Sequence, residues 1–412
     1  MTEWKKLKIE DLAAPGKYSL ATGPFGSAIG SRFFREEGVP VVRGSNLSLD
    51  VGERLIDPGI VFVEESKAEE FPRSVARRGD LIFTCWGTIG QIGLVDERAR
   101  FDRYIVSNKQ MKLTPDPGRV DSLFLYYALS SPGAVAQVQG ASIGSSVPGF
   151  NLTQLRKVEV LCPPLAHQQS IAKMLGALDD KIAVNERIAA TYERLLQCRF
   201  VELGLGDDPD GDSVIPITDL ITFGPKLGKP VAAEPVYVDM AALQTNRAGI
   251  PSWARREPKS GPRFMNGDTL MARITPCLEN GKTGYVDFME DGEIGLGSTE
   301  FIVLRSLPGV PSELSYFLAR DSRFREHAIR NMVGSSGRQR VSAADASNYT
   351  VMAPDAEQLA AFGKEASAAF AHMKSLESES RTLAALRDTL LPQLMSGRIR
   401  VKDAEKIVED HV

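Results

Sequence analysis

The chain has 412 residues, 43% of them hydrophobic and 25% charged, and a formal net charge of -4. This length exceeds one ordinary core and predicts about two to four domains, while the mildly acidic balance gives no global attraction to DNA or acidic lipid, so a nucleic-acid surface has to arise from local patches. The sequence has no run of about 18 apolar residues and no basic, apolar targeting segment at its N-terminus, which predicts no membrane span and a cytoplasmic location.

In chain order, the first polar cluster is Arg43, Ser45 and Asn46, which follows the segment PFGSAIG at 24–30. Residues 79–93, GDLIFTCWGTIGQIG, predict an apolar strand opened by Gly-Asp, an interruption at 85–88 and a second strand. A dinucleotide loop with this glycine content has to open directly into a helix whose N-terminus takes the pyrophosphate, whereas Gly93 leads into Leu94-Val95. Glycines inside strands mark bends or close backbone approach, so the stretch is read as shape and Asp80 as a turn or cap residue. Tyr104, Ser107, Asn108, Lys109 and Gln110 form a second polar group. A short helix is predicted over 121–130, a turn at Gly144-Ser145-Ser146, and a long helix from about Ala166 to Cys198 after Pro163-Pro164.

The chain then repeats this plan. GDTLMARITPCLENGKTG at 267–284 restates the strand pair 188 residues later, with Asp268 in the place of Asp80 and Pro276 where a phosphate loop needs its first glycine. Residues 120–127 match 310–317 at an offset of 190, Gly144-Ser145-Ser146 matches Gly334-Ser335-Ser336, and Gln168 falls on Gln358. Segments held in one register predict two tandem copies of a β-rich unit, a short helix, a turn, a proline and a long helix. Residues 24–30, 41–46 and 246–256 have no close counterpart, so the shared scaffold carries two different surfaces.

The first long helix has a seam through Ile171, Leu175, Leu178, Ile182, Asn185, Ala189, Tyr192 and Leu196, in steps of four and three, which is the pattern by which one helix lies against another. The second, from about Glu357 to Leu391, offers Phe362, Ala366, Ala369, Met373, Leu376, Leu383 and Leu390, is interrupted by Ser380 and Arg387, and is expected to stop at Pro392. About 30 residues at 1.5 Å each span about 45 Å, longer than a small domain needs. The stripes therefore predict an antiparallel pair that joins and separates the β-rich units; packing of each helix on its own domain is the alternative. Asn185 either sets the register of this pair or lies at its edge.

Cysteines at 85, 162, 198 and 277 and histidines at 167, 327, 372 and 411 are scattered without metal-ligand spacing, so neither a zinc site nor a disulfide framework is expected. The sequence contains no Walker A loop, no HExxH and no Asp/Asn-Pro-Pro-aromatic methylase motif, since Cys162-Pro163-Pro164 lacks both the polar first residue and the final aromatic. Recognition is the better expectation than catalysis. DNA recognition needs cations for phosphate and side chains with suitable donors for base edges. In the first half the candidates are Arg43, Ser45, Asn46, Tyr104, Asn108, Lys109, Gln110, Ser145 and Ser146. In the second half, the segment from Arg247 to Arg273 is net +4, with Arg247, Arg255, Arg256, Lys259, Arg263 and Arg273 against Glu257 and Asp268. Lys282, Ser335, Ser336, Arg338 and Arg340 complete the set. A solvated loop is the competing account of the basic segment, and a compact turn that of each Gly-Ser-Ser.

Two stretches carry a family resemblance. Residues 164–172, PLAHQQSIA, followed by LDDKI at 178–182, resemble the region after each target-recognition domain in specificity subunits of type I restriction-modification systems, and LLPQLMSGRI at 390–399 resembles the ending of such subunits. With the tandem repeat, the resemblance covers essentially residues 2–400. It implies an α+β fold in which two tandem β-rich target-recognition domains, 1–160 and 208–352, are separated and joined by two long antiparallel conserved helices at 161–207 and 353–400, with an acidic C-terminal tail at 401–412. It also implies a noncatalytic subunit that recognises a bipartite, asymmetric target in double-stranded DNA, docks two copies of a modification subunit and one kind of restriction subunit, and so directs adenine methylation and restriction. On this account no cofactor is held in this chain: S-adenosylmethionine belongs to the modification subunit, and ATP and Mg to the restriction subunit, which is motor and nuclease. The other function classes are a stand-alone DNA-dependent adenine methyltransferase or nuclease, and a protein-interaction scaffold. The second half departs from the pattern, because Ala360-Ala361-Phe362 replaces the isoleucine-alanine step and no Leu-Asp pair follows; unequal docking faces are the expected result.

Overall fold

The computed structural model describes residues 4–142, 149–207, 213–257, 260–335 and 337–411. Its contacts divide the chain into two units, residues 1–182 with 380–412, and residues 183–379.

In the first unit, β1 (Lys5–Lys8) pairs with β10 (Glu159–Cys162). One four-stranded sheet has the order β2 (Leu20–Thr22), β9 (Gln110–Leu113), β6 (Leu81–Thr84) and β7 (Ile92–Leu94). The other has the order β4 (Val61–Val63), β3 (Val39–Val42), β8 (Arg103–Val106) and β5 (Val75–Arg77), with β3 and β8 parallel. In the second unit, β11 (Val214–Pro216) pairs with β20 (Thr350–Met352). Its sheets run β12 (Ile221–Phe223), β19 (Phe301–Ser306), β16 (Thr269–Ala272), β17 (Thr283–Tyr285), and β14 (Ala254–Arg255), β13 (Val236–Val238), β18 (Gly295–Gly297), β15 (Arg263–Phe264), with β13 and β18 parallel. Every described strand of the first unit thus has its counterpart ten strands later, and the repeat read from a few segments extends through the whole topology.

The opening Gly-Asp of each repeat is a structural device. Gly79 and Gly267 take φ of +90° and +87°, a region that L side chains avoid. Asp80 accepts from the Arg77 amide at 3.0 Å and the Lys112 ammonium at 3.1 Å. Asp268 accepts from the Met265 amide at 2.8 Å and from both forks of Arg305 at 2.6 and 2.7 Å. Each carboxylate therefore satisfies a turn amide and pins it to a cation on the neighbouring central strand. Residues 79–93 form the β6–β7 hairpin, so the glycines serve shape rather than a nucleotide.

The long helices are Leu165–Glu202 and Ala356–Met395, of 38 and 40 residues, or about 57 and 60 Å at 1.5 Å per residue. In the first unit, Ile171 and Leu175 share a core with Leu390, Leu391 and Leu394. In the second unit, Leu196 and Phe200 share one with Phe362, Ala366 and Met373. Leu178, Leu376 and Leu383 are buried, while Ile182 and Tyr192 are half-buried. Within the second unit, Asn185 donates to Glu379 at 2.7 Å, Tyr192 meets His372 at 3.2 Å and Arg199 meets Glu365 at 3.7 Å. One numbering rises as the other falls, so the helices run antiparallel there. Asn185 is a buried partner across this seam, not an edge residue.

Arg387 interrupts the apolar stripe because it belongs to a buried ionic cluster of the first unit. Its guanidinium donates to Asp179 at 3.0 Å and Asp50 at 3.4 Å. Asp179 also accepts from Arg54 at 3.2 Å and from the Tyr127 hydroxyl, and Arg54 pairs with Asp96. The cluster ties the 50–54 loop to both long helices.

Three sequence expectations need correction. The second long helix passes through Pro392 to Met395, because proline forfeits one amide donor while burial of Leu390, Leu391 and Leu394 holds the flanking turns helical. Its stop is Gly397 at φ +68°, where Gly397 and Arg398 donate to Leu394 and Gln393 in the double bond pattern of a left-handed C-terminal cap. The residues expected as an acidic tail include a helix, Val401–Glu409, whose Ala404 is fully buried and whose Val401, Ile407 and Val408 pack on the first unit's core. Gln168 and Gln358 are not equivalent: Gln168 is buried and accepts from the Asp121 amide at 3.0 Å, whereas Gln358 is exposed.

Candidate nucleic-acid interface

Where β3, β6 and β8 of the first unit give way to turns, their ends enclose an open groove of about 640 Å³. The segment after β3 supplies Arg43, Gly44 and Ser45, the β6–β7 hairpin supplies Trp86, Gly87, Thr88 and Gln91, and the β8–β9 turn supplies Ser107, Asn108 and Lys109. Gly87 and Gly90, at φ +99° and +103°, let the hairpin double back. Ser45, Thr88, Asn108 and Lys109 are exposed, and Lys109 has no ion pair among the described residues. The Arg43 guanidinium donates to the Gly59 carbonyl at 2.6 Å and lies 5.6 Å from the Phe34 ring. Asn108 donates to the Gly26 carbonyl at 2.9 Å, which fastens the 24–30 loop beside the groove.

Like Thr88, Trp86 is a groove member that the candidate set lacked. Its side chain is 53% exposed, and its ring lies so close to Gly149 that a Cβ there would stand 2.7 Å from it. The ring thus packs on the Gly149 backbone while about half of the residue stays exposed. The signal was present in the sequence as an aromatic residue in the break between two apolar strands.

Other candidates fall elsewhere. Asn46 is buried and spans the Arg43 amide and the Ile56 carbonyl, at 3.0 and 2.9 Å. Tyr104 is fully buried, its hydroxyl accepting from the Phe101 amide at 3.1 Å, and Gln110 is fully buried with its carbonyl taking the Ser107 hydroxyl proton. Asn46 and Gln110 brace groove residues Arg43 and Ser107, Tyr104 belongs to the core, and none of the three is exposed to a base edge. Ser145, Ser146, Lys259 and Ser336 lie outside the described residues.

The basic stretch of the second unit does not act as one free positive surface. Arg247 pairs with Glu186 and Arg255 with Glu293, at 3.2 and 2.8 Å. Arg256 lies 3.2 Å from the centre of the Tyr237 ring, and Lys282 donates to the Met240 carbonyl at 2.9 Å. Arg273 and the 333–340 segment instead gather around Glu300: Arg340 grips its carboxylate through Nε and Nη2 at 2.6 to 3.0 Å, and the Arg273 amide donates to its carbonyl at 2.9 Å. The Arg340 guanidinium, with further help from Arg273 and exposed Arg338, holds the Glu300 carboxyl below its ordinary range. Ser335 and Arg338 are exposed on the same segment.

Burial pushes the Cys85 thiol beneath the groove up to about 12, so it is not a nucleophile at neutral pH. Among the described residues no group of three or more His, Cys, Asp or Glu is placed to hold a metal ion. No described helix is long and apolar enough to cross a membrane. The groove combines cation, hydroxyl and aromatic surface, which suits binding to a polyanion with base edges.

Residues 32–194 match the family model described as type I restriction modification DNA specificity domain. The EcoEI type I restriction enzyme specificity subunit of Escherichia coli is 27% identical over 212 residues, covering 49% of this chain and 35% of that protein. The EcoAI specificity subunit of the same species is 29% identical over 141 residues, covering 32% and 23%. The matched part is therefore about a third or less of either relative's length. Among solved structures, the type I restriction-modification S subunit from M. genitalium superposes with a TM-score of 0.54 at 16% identity, covering 95% of this chain and 96% of that one; this likeness concerns the fold.

Proposed function

We propose that this chain is a specificity subunit of a type I restriction-modification system, the noncatalytic DNA-reading subunit that directs adenine methylation and restriction by partner chains; the match of residues 32–194 to the DNA specificity domain supports this reading. Each β-rich domain, 1–160 and 208–352, takes one half of an asymmetric, interrupted target. The helical segments 161–207 and 353–400 link the domains and dock two modification subunits, which hold S-adenosylmethionine; the restriction subunit uses ATP and Mg. Chromosomal DNA as substrate places the work in the cytoplasm.

The observation that carries this reading is the first unit's groove, in which an unpaired Lys109, the hydroxyls of Ser45 and Thr88 and the exposed indole of Trp86 converge. The cation suits phosphate, the hydroxyls suit base edges, and the indole suits an apolar base surface. The test is to mix the purified chain with its modification subunit, S-adenosylmethionine and genomic DNA, and to map methylated adenines by sequencing. One interrupted motif is expected from the complex and no methyl transfer from the chain alone. Methylation by the chain alone, or by the complex without sequence preference, would overturn the reading.

A further inference from the structure

The two units place different chemistry on one backbone framework. In the first, the Ser107 amide donates to Val42, the Cys85 amide to Lys109 and the Phe150 amide to Cys85. In the second, the Ser298 amide donates to Val238, the Arg273 amide to Glu300 and the Val341 amide to Arg273. The isolated bridge Trp86 to Gly149 likewise recurs as Ile274 to Arg340. These matches equate Lys109 with Glu300, Trp86 with Ile274 and Gly149 with Arg340.

The exchange is concerted. In the first unit, glycine at 149 makes room for the indole of Trp86, and the turn beside it carries an unpaired lysine. In the second unit, isoleucine replaces the indole, an arginine projects from the glycine's position, and the turn carries the glutamate that grips it. Arg340 presents five N–H donors in a planar fork. Two nitrogens, Nε and Nη2, face Glu300, while Nη1 has no partner among the described residues and the side chain is 38% exposed. A guanidinium held along one edge and open along the other is the geometry that pairs with O6 and N7 of guanine in the major groove.

We propose that Arg340, oriented by Glu300, reads a guanine in the half-site taken by the second unit, and that Glu300 acts as its positioning residue. The proposal rests on the DNA-reading function above and adds the base and the side chain. The opposing account is a staple, in which the ion pair only holds the 333–340 segment against the β18–β19 turn.

The experiment uses the full chain assembled with its modification subunit and target DNA in which each guanine in turn is replaced by 7-deazaguanine, which lacks N7. For the unaltered protein, one such replacement in one half-site is expected to weaken binding by roughly tenfold. Arg340→Ala should lose a similar factor on natural DNA and become insensitive to that same replacement. Glu300→Gln should reduce sensitivity at that position and leave the other half-site unchanged. Arg340→Lys, which keeps the charge without the fork, should not restore it. Thermal melting of each variant separates misfolding from lost recognition, and intact discrimination in the other half-site provides the same control on DNA. Wild-type affinity of Arg340→Ala, or additive losses from the variant and every 7-deazaguanine, would overturn the proposal while leaving the specificity function standing. Failure of the unaltered complex to distinguish its target from scrambled DNA would instead overturn the function.

Discussion

Trp86 keeps more than half of its side chain in water although Cys85 before it is buried. Its indole packs on the Gly149 backbone, and an aromatic side chain with two torsions loses little freedom on binding. Trp86→Ala is expected to weaken target binding roughly tenfold or more, with an unchanged melting temperature; fluorescence anisotropy on labelled target DNA measures this, and unaltered affinity would remove Trp86 from the interface. Lys109→Ala should behave differently, weakening binding to specific and random DNA alike and lowering the slope of log affinity against log salt by about 0.9. At this scale a local count misleads in the second half. Arg247 and Arg255 look free in their own segment, yet Glu186 and Glu293, distant in sequence, pair with them.

The long helices owe their stability to what they cover, since Leu178 and Leu383 are buried in the first unit and Leu376 and Met373 in the second. Leu178→Asp places a carboxylate at a position only 5% exposed, next to Asp179. A loss of about 3 kcal/mol is expected from urea unfolding, with weaker assembly with the modification subunit on gel filtration; wild-type stability would show that this seam position tolerates charge. Asp179→Ala leaves Arg54 and Arg387 without the carboxylate they share, a change expected to cost about 3 to 5 kcal/mol. Combining it with Arg387→Met should recover part of the loss, because the buried guanidinium, left with only the exposed carboxylates of Asp50 and Asp388, is then removed.

For the whole molecule, two copies of one topology with unlike chemistry at equivalent positions lead, under the proposed function, to the expectation of two independent readers. Exchanging residues 15–155 for the matching domain of a family relative is expected to alter one half of the methylated motif and to leave the other unchanged, as read by methylome sequencing. If both halves changed together, or the motif were continuous, the division of labour would fail.

The tandem plan, both long helices and the capping role of Asp80 and Asp268 could be read from the chain alone, because each depends on periodicity or on residues repeated at a constant offset. The C-terminal helix was legible too, in the apolar spacing of Val401, Ala404, Ile407 and Val408, but its acidic composition hid it. Passage through Pro392 was decided by packing, since local propensity opposes it and only the buried leucines around it hold the turn. The site depended most on tertiary structure. Arg43, Trp86 and Lys109 become one surface only when strands of two sheets end side by side, Tyr104 and Asn46 vanish into the interior, and Arg340 acquires its orientation from Glu300, 40 residues away. Charge and hydrogen-bonding capacity are properties of a residue, but whether they face a ligand or a neighbour is fixed by long-range pairing that no local window contains.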